Sequence, residues 1–336
     1  MSVLTLAEIQ SLAPSNLPQL RKHRYDGGGM NAELGAFGSD AEKLHAVYKA
    51  IQRLSDVLSG MMHSNQISPP FISALKSRPE IREIVRTFRE IESIQQFAPR
   101  LRTILHDLQG GSLLALLTSI QLLDPSTTRA DGLLRTFFYA RDHLKMMRNA
   151  VSDIDPTLSE RDNQSRVHTV DLLREKWFGR TFAYDGVEHA VSFDCSWEGP
   201  IAESCLEFSA LDRVIYNLMN NAARYTTDRH IGITVLELDS GQQANVRLVV
   251  HNRISPQQAN QIMRLTDGDP DRLLCGGITT GGNGVGMSIC AEFVQNAFGL
   301  FSTPDAIAGG YVGVKLIREV FVVWFHWPRV DPRPAG

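Results

Sequence analysis

Cysteine is scarce in this chain: four in 336 residues, Cys195, Cys205, Cys275 and Cys290, with no CxxC pair among them. That spacing suits neither a zinc ribbon nor a disulfide framework, and reduced thiols are expected. An excess of one charge is missing too. Thirty-four Lys and Arg against 37 Asp and Glu leave a net charge of −3, so no broad basic field points to nucleic acid. Long apolar runs are absent. "LLALL" and "VFVVWF" fall far short of the about 20 residues that cross a bilayer. The opening "MSVLTLAEIQSLAPS" has no basic stretch leading into an apolar one, so no secretory leader is expected. These absences leave a soluble cytoplasmic protein. With 336 residues, 43% of them hydrophobic, the chain is long enough for two or three cores.

What is present begins with helical periodicity. After "YDGGGMNAELGAFGSD", which reads as a flexible connector, Ser39 and Glu42 have capping-box spacing. Leu44, Val47, Ile51, Leu54, Leu58 and Met61 then recur at alternating threes and fours, the mark of one apolar seam. "SNQISPP" ends that helix. A longer seam runs from Ile84 through Thr87, Ile91, Ile94, Ala98, Leu101, Leu105, Leu108, Ser112, Ala115 and Ser119 to Leu122. Pro99 is expected to kink or split it. Beyond "DPSTTRAD" a third seam runs through Leu133, Phe137, Ala140, Leu144, Met147, Val151 and Ile154, and Pro156 ends it. Two long seams joined by a short polar loop predict an antiparallel helical hairpin. A lone hairpin buries one stripe per helix, so pairing into a four-helix bundle, hence a homodimer, is expected.

After residue 160 the pattern changes. "HAVSFDCSW", "HIGITVLELD", "ANVRLVVHN" and "GGYVGVKLIREVFVVWFHW" read as strands. "VDLLREKWF", "SALDRVIYNLMNNAARYT", "PQQANQIMRL" and "GMSICAEFVQNAF" between them read as helices. The expected fold class is α+β: N-terminal helices, the long hairpin, then a sandwich of one mostly antiparallel sheet with helices on one face. The expected domains are 1–80, an input or dimerisation segment; 81–160, the hairpin; and 161–330, the sandwich.

Three sets of residues carry chemistry. In "LRTILHDLQGGSLLALLTSIQLL", His106 sits off the seam marked by Leu105 and Leu108 and is expected to face outward, among Arg102, Thr103, Gln109 and Gly110. A neutral imidazole nitrogen is a nucleophile near neutral pH. A neighbouring carboxylate, here Asp107, can hold the proton on the other nitrogen. Gly110 and Gly111 clear side chains from the ring's surroundings and weaken the helix, by roughly 1 kcal/mol each relative to Ala. In "LDRVIYNLMNNAARYT", Asn217 and Asn221 share a helix face, with Arg224 three residues on. Amide oxygens can ligate Mg²⁺ and a guanidinium can grip phosphate. In "TTGGNGVGMSICAEF", Gly281, Gly282, Gly284 and Gly286 precede a helix whose free N–H groups favour an anion. The lysine of a Walker loop is missing and no strand leads directly into the glycines, so the P-loop and Rossmann readings fail.

A histidine and an acidic residue on a bundle helix, then an N-x-x-x-N-A helix, then GxGxG opening another helix, resemble in this order the two-component sensor histidine kinases. The resemblance spans about residues 80–328. "LHDLQGG" is similar to the histidine box, "NLMNNAARYT" to the asparagine box and "GGNGVGMSI" to the second glycine box of a GHKL-type (Bergerat) ATP-binding domain. It implies that His106 accepts phosphate and Asp107 activates it, that Asn221 binds Mg²⁺, and that Asn217 is the polar residue one turn before. It further implies that Arg224 and Tyr225 line the nucleotide, that Gly282, Gly284 and Gly286 form the hinge and phosphate loop, and that residues 253–280 form a mobile ATP lid. ATP and Mg²⁺ are the implied cofactors, and a response-regulator receiver domain is the implied partner beside a second copy of the chain.

Departures from the family pattern bear on activity. Asn252, at the end of "VRLVVHN", stands where the adenine-reading aspartate is expected, and the glycines of that box are missing. Gly110 stands where many members carry Thr or Asn, which implies poor phosphatase activity, and Gly111 replaces a usual proline. The lid lacks a frequent phenylalanine. The leading expectation is a cytosolic histidine kinase that autophosphorylates on His106 and passes the phosphate to a receiver aspartate. The alternatives are a degenerate phosphotransfer or docking scaffold that does not use ATP, and a GHKL protein that acts on serine or hydrolyses ATP.

Overall fold

The computed structural model describes residues 4–14, 17, 24–63, 68–92, 99–126, 130–238, 245–278, 285–328 and 330. The chain divides into two compact units. One is Met1–Gly28 with Gln164–Phe182 and Glu188–Gly336; the other is Gly29–Asn163 with Ala183–Val187. The division therefore falls at residues 28 and 163, where the periodicity suggested 80 and 160. The first helix, α1 (Leu6–Gln10), belongs with the C-terminal residues and is described with them.

The helical unit holds α2 (Ala41–His63), α3 (Pro69–Lys76), α4 (Pro79–Glu92), α5 (Pro99–Gln109), α6 (Gly111–Leu122), α7 (Ala130–Ala150) and α8 (Pro156–Asn163). All six seam residues of α2 are buried. They pack α2 along both α4 and α7, which is why residue 80 is no boundary. A 3-10 turn over Leu34–Asp40 leads into α2, so Ser39 lies inside that turn and not at a cap.

The long second seam is three helices. Pro99 starts α5, as a residue with no N–H to satisfy and a preset φ can. Gly110 caps the start of α6, and Gly111 adopts φ +46, a conformation that opposes most side chains. The seam residues Ile94 and Ala98 lie outside the described residues. Lys76 donates to the carbonyls of Gln121 and Leu123 at 2.9 and 2.8 Å, closing the negative end of α6. α5, α6 and α7 pack on one another and bury paired polar groups. Ser119 and Thr136 hydroxyls are 2.8 Å apart, and Ser112 Oγ lies 3.0 Å from His143 Nδ1. The Arg148 guanidinium binds Asp162 at 2.6 Å and the Tyr48 hydroxyl at 3.1 Å, and that hydroxyl donates to Asp155 at 2.9 Å. Burial, against the opposing Arg148 charge, pushes the Tyr48 phenol up to about 12.

The second unit is an α+β sandwich. Its main sheet orders β2 (Thr181–Tyr184), β3 (Val187–Cys195), β5 (His230–Leu238), β6 (Asn245–Arg253), β8 (Val320–Pro328) and β7 (Val312–Ile317). The strands β1 (Ser165–Thr169) and β4 (Pro200–Ser204) make a separate pair. The pairs β5–β6, β6–β8 and β7–β8 are antiparallel, and β3–β5 is parallel. β2 and β3 join through Asp185 and Gly186, both at positive φ, the requirement of a two-residue type I′ turn. The helices are α9 (Asp171–Trp177), α10 (Cys205–Tyr225), α11 (Pro256–Leu265), α12 (Gly286–Phe298) and α13 (Thr303–Ala308). α10 packs on β5 and β6, and α12 on α10 and β8, filling one face of the sheet.

Candidate nucleotide site and the histidine helix

Helix α10 is built to hold its polar residues still. The Ser204 hydroxyl caps it by accepting from Glu207 N at 3.2 Å, and the Glu207 carboxylate reaches back to Glu203 N at 2.7 Å. From Phe208 to Met219 every residue is buried. Within that run Asp212 accepts both 2.7 Å bonds of the buried Lys176 ammonium from α9. Next to it, the Arg213 guanidinium lies 4.4 Å from the centre of the Phe293 ring of α12, a cation–π contact. Cys290 Sγ approaches the Val214 carbonyl at 3.7 Å. These contacts set α12 against α10.

The consequence is local to the motifs. Asn221 is half-buried on α10, and its Nδ2 lies 3.8 Å from where a Cβ on Gly286 would stand. The asparagine helix and the start of the post-glycine helix therefore meet. Asn217, one turn earlier, is buried at 6% exposure. Arg224 is exposed, with its guanidinium 5.6 Å from the ring centre of the half-buried Tyr225. Gly282 and Gly284 lie outside the described residues.

Asn252 ends the strand that backs this site. It is 3% exposed, stands opposite Ile231 and Phe321 in the sheet, and donates from Nδ2 to the Arg253 carbonyl at 3.2 Å. By the period of two it shares the face of Leu248 and Val250. Val249 belongs to the other face, in a separate apolar cluster. The amide thus stands on the side of α10, with one of its two N–H donors engaged.

The residues expected to be a mobile lid are largely folded. Ser255 caps α11, accepting from Gln258 N at 3.1 Å. A 3-10 turn over Pro270–Cys275 buries Leu273 and Leu274, and Asp271 accepts from Val314 N of β7 at 2.6 Å. Burial raises the Asp271 carboxyl despite that bond. Apolar side chains at 262, 273 and 274 are buried and anchor these parts of the expected lid.

His106 and Asp107 lie on α5 in the helical unit. The outward-facing placement expected for His106 is corrected: the residue is half-buried, and Asp107 is 6% exposed. α5 packs on α6 and α7 together, so its covered stripe is wider than the single seam of Leu105 and Leu108 and takes in Ile104 and Asp107. The sequence reading missed His143, buried on α7 opposite Ser112, and Arg247, buried within β6. An arginine inside the apolar run "NVRLVV" was the available signal, because a buried guanidinium demands partners.

The donor set fits a nucleotide phosphate with Mg²⁺. Asn221 presents a hard amide oxygen, and Gly286 opens a 13-residue helix beside it with free N–H groups.

Residues 207–328 match the family model for histidine kinase-, DNA gyrase B- and HSP90-like ATPases. No curated relative matches the chain. Among solved structures, the catalytic domain of histidine kinase ThkA is similar at 17% identity, over 41% of this chain and 79% of that one, with a TM-score of 0.28. Full-length ShkA in complex with AMPPNP is similar at 16% identity, over 79% of this chain and 47% of that one, with a TM-score of 0.33. The Acinetobacter baumannii histidine kinase AdeS shares 13% identity over 70% of this chain and 99% of its own, with a TM-score of 0.27. The family match, the asparagine helix and the glycine that opens α12 fall in the same stretch: residues 207–328 are similar to the ATP-binding domain of the histidine kinase-, DNA gyrase B- and HSP90-like ATPases.

Proposed function

We propose that the chain is an ATP-dependent protein histidine kinase whose phosphoacceptor is His106. The observation that carries this reading is the meeting of Asn221 with Gly286 in the family-matched domain, in a chain that also carries a histidine on a helical hairpin. ATP is the phosphate donor. Asn217, Asn221, Arg224, Tyr225, Asn252, Gly282, Gly284 and Gly286 bind it, with Asn221 holding the metal. Mg²⁺, when bound, neutralises phosphate oxygens and favours departure of ADP.

A neutral ring nitrogen of His106 attacks the γ-phosphorus, the bond to the bridging oxygen breaks, and ADP leaves with that electron pair. Asp107 favours the tautomer with a free nitrogen lone pair. The phosphoramidate then passes to an aspartate of a response-regulator receiver, whose carboxylate oxygen replaces the ring nitrogen. The chain works as a cytoplasmic homodimer through its helical hairpin. Among the described residues no helix is long and apolar enough to cross a membrane.

The second reading is a docking or phosphotransfer scaffold that does not use ATP. Asn252 favours it, since a neutral amide forgoes the charge-assisted bond to an adenine amino group, roughly twice as strong as a neutral one.

One experiment decides. The protein is incubated with γ-labelled ATP and Mg²⁺, and acid-labile label is counted. Label in the wild type that is lost in His106→Gln supports the kinase. No nucleotide binding by calorimetry, with phosphate accepted from a phosphorylated receiver, supports the scaffold. Acid-stable label, or phosphate release indifferent to His106→Gln, overturns both.

A further inference from the structure

The back of the ATP-binding sheet is covered by the chain's own first residues. Thr5 starts α1 with a capping box: its hydroxyl accepts from Glu8 N at 3.2 Å, and its own N–H donates to the Glu8 carboxylate at 2.8 Å. Leu4, Ile9 and Leu12 then pack on Leu236, Val249, Val320, Val322 and Trp324. Glu8 pairs with Arg318 at 2.6 Å. Gly310 lets the strap pass closely, since a Cβ there would stand 3.2 Å from Pro14 Cδ.

One side chain gathers the far end of this strap. Arg247, fully buried on β6, donates from Nη1 to the carbonyls of Ile9 and Gln10 at 2.9 and 2.8 Å. From Nη2 it donates to those of Ala13 and Pro14 at 2.7 and 3.0 Å. Its Nε–H donates to His326 Nε2 at 3.0 Å. That bond makes Nε2 an acceptor and puts the imidazole proton on Nδ1, 3.1 Å from the Tyr311 carbonyl. A planar fork of five donors satisfies four carbonyls and a ring nitrogen at once, which an ammonium cannot do. No carboxylate is among these acceptors. Burial lowers the guanidinium to about 10; its five acceptors are neutral dipoles, and the charge gains hydration whenever the strap leaves.

Arg247 and Asn252 stand five residues apart on the same strand, one on each face. We propose that residues 4–14 are a latch with two states. Docked, the strap and Arg247 clamp β6 from behind and hold Asn252 in place for the nucleotide. Released, β6 loosens at that end and nucleotide affinity falls. Any partner or modification that occupies residues 4–14 therefore regulates the ATP site without touching it. The inference rests on the nucleotide-binding reading above, and it names the part of the chain through which that site is controlled.

The test uses the full chain and two measurements: amide hydrogen exchange over residues 4–14, and the Kd of a fluorescent trinitrophenyl-ATP with Mg²⁺. Arg247→Met releases the strap from the sheet side, and Ile9→Asp releases it from the strap side with β6 intact. In the wild type, residues 4–14 are protected and nucleotide binds. In both variants the protection is lost and Kd rises about fivefold or more, the low end of measured allosteric couplings, while exchange in α10 stays slow. A released strap with Kd within twofold of wild type overturns the latch, as does a strap that stays protected in both variants. If the wild type binds no nucleotide while residues 4–14 are protected, the kinase reading fails and the regulatory claim falls with it, although docking of the strap itself stands.

Discussion

Helices α10 and α5 carry the residues proposed for metal binding and phosphate acceptance, and they are built in opposite ways. α10 has 21 residues, a side-chain cap, a buried ion pair and an unbroken buried run. Asn217 and Asn221 emerge from a rigid rod. α5 has 11 residues, starts at a proline and stops where Gly110 and Gly111 break the chain. Its histidine stands one turn from the break between α5 and α6. The difference suits the two roles proposed for them: a metal and phosphate site gains from fixed ligands, and the proposed nucleophile, which on that reading meets both a nucleotide and a receiver, gains from a helix that ends close by.

The comparison can be broken from the rigid side first. Asp212→Ala strands the buried Lys176 ammonium and should cost about 3–5 kcal/mol. All four tryptophans, 177, 197, 324 and 327, lie in the ATP-binding unit, so denaturant unfolding followed by tryptophan fluorescence reads this loss directly. An unchanged midpoint would show that the ion pair does not hold α10.

Acid should act on the same unit next. Burial depresses His251 to about 4, and His326 to about 3 with the Arg247 charge adding to it. Both are lowered below the unfolded value of 6.5, so the unfolded chain takes up protons first. Stability is full above pH 6.5 and is lost as pH falls toward 4, by about 3 kcal/mol for His251 alone. The raised Asp271 acts with the opposite sign. Fluorescence-detected unfolding midpoints between pH 7 and 4.5 should therefore fall, and a flat profile would contradict the buried neutral rings.

A smaller change sharpens the functional half of the contrast. Asn221→Ala removes a half-buried amide at the mouth of the site. Autophosphorylation should drop roughly 100-fold, with the unfolding midpoint nearly unmoved. A parallel loss of stability would reassign Asn221 to the fold.

The smallest effect belongs to the joint in the other unit. Gly111→Ala places a Cβ at φ +46, a cost of about 1–2 kcal/mol. Helicity at 222 nm should melt earlier while the tryptophan transition stays in place. Transfer to His106 should slow severalfold if the joint serves the reaction, and an unchanged rate would leave the break a structural accident.

Much of this contrast is legible in the residues themselves. The α2 seam, four strand segments and the helices later numbered α9 to α12 follow from periods of 3.6 and 2, because burial on one face imprints that repeat on a local stretch. The Asp-Gly turn between β2 and β3 is equally local. The half-buried state of His106 was hidden, since it depends on how many neighbours α5 has and not on the spacing of its leucines. The folding of the expected lid was hidden for a similar reason: Asp271 looks like a loop residue until Val314 of β7, some forty positions later, supplies its partner.

By itself, then, the amino-acid order determined which stretches are helix or strand, which faces are apolar, and that an asparagine helix precedes a glycine-started helix. Tertiary structure alone decided that Asn221 meets Gly286, that β3 runs parallel to β5, that Asn252 and Arg247 look to opposite sides of one strand, and that Arg247 closes on carbonyls more than 230 positions away. Periodicity records whether a residue is buried; it carries no record of which distant group buries it.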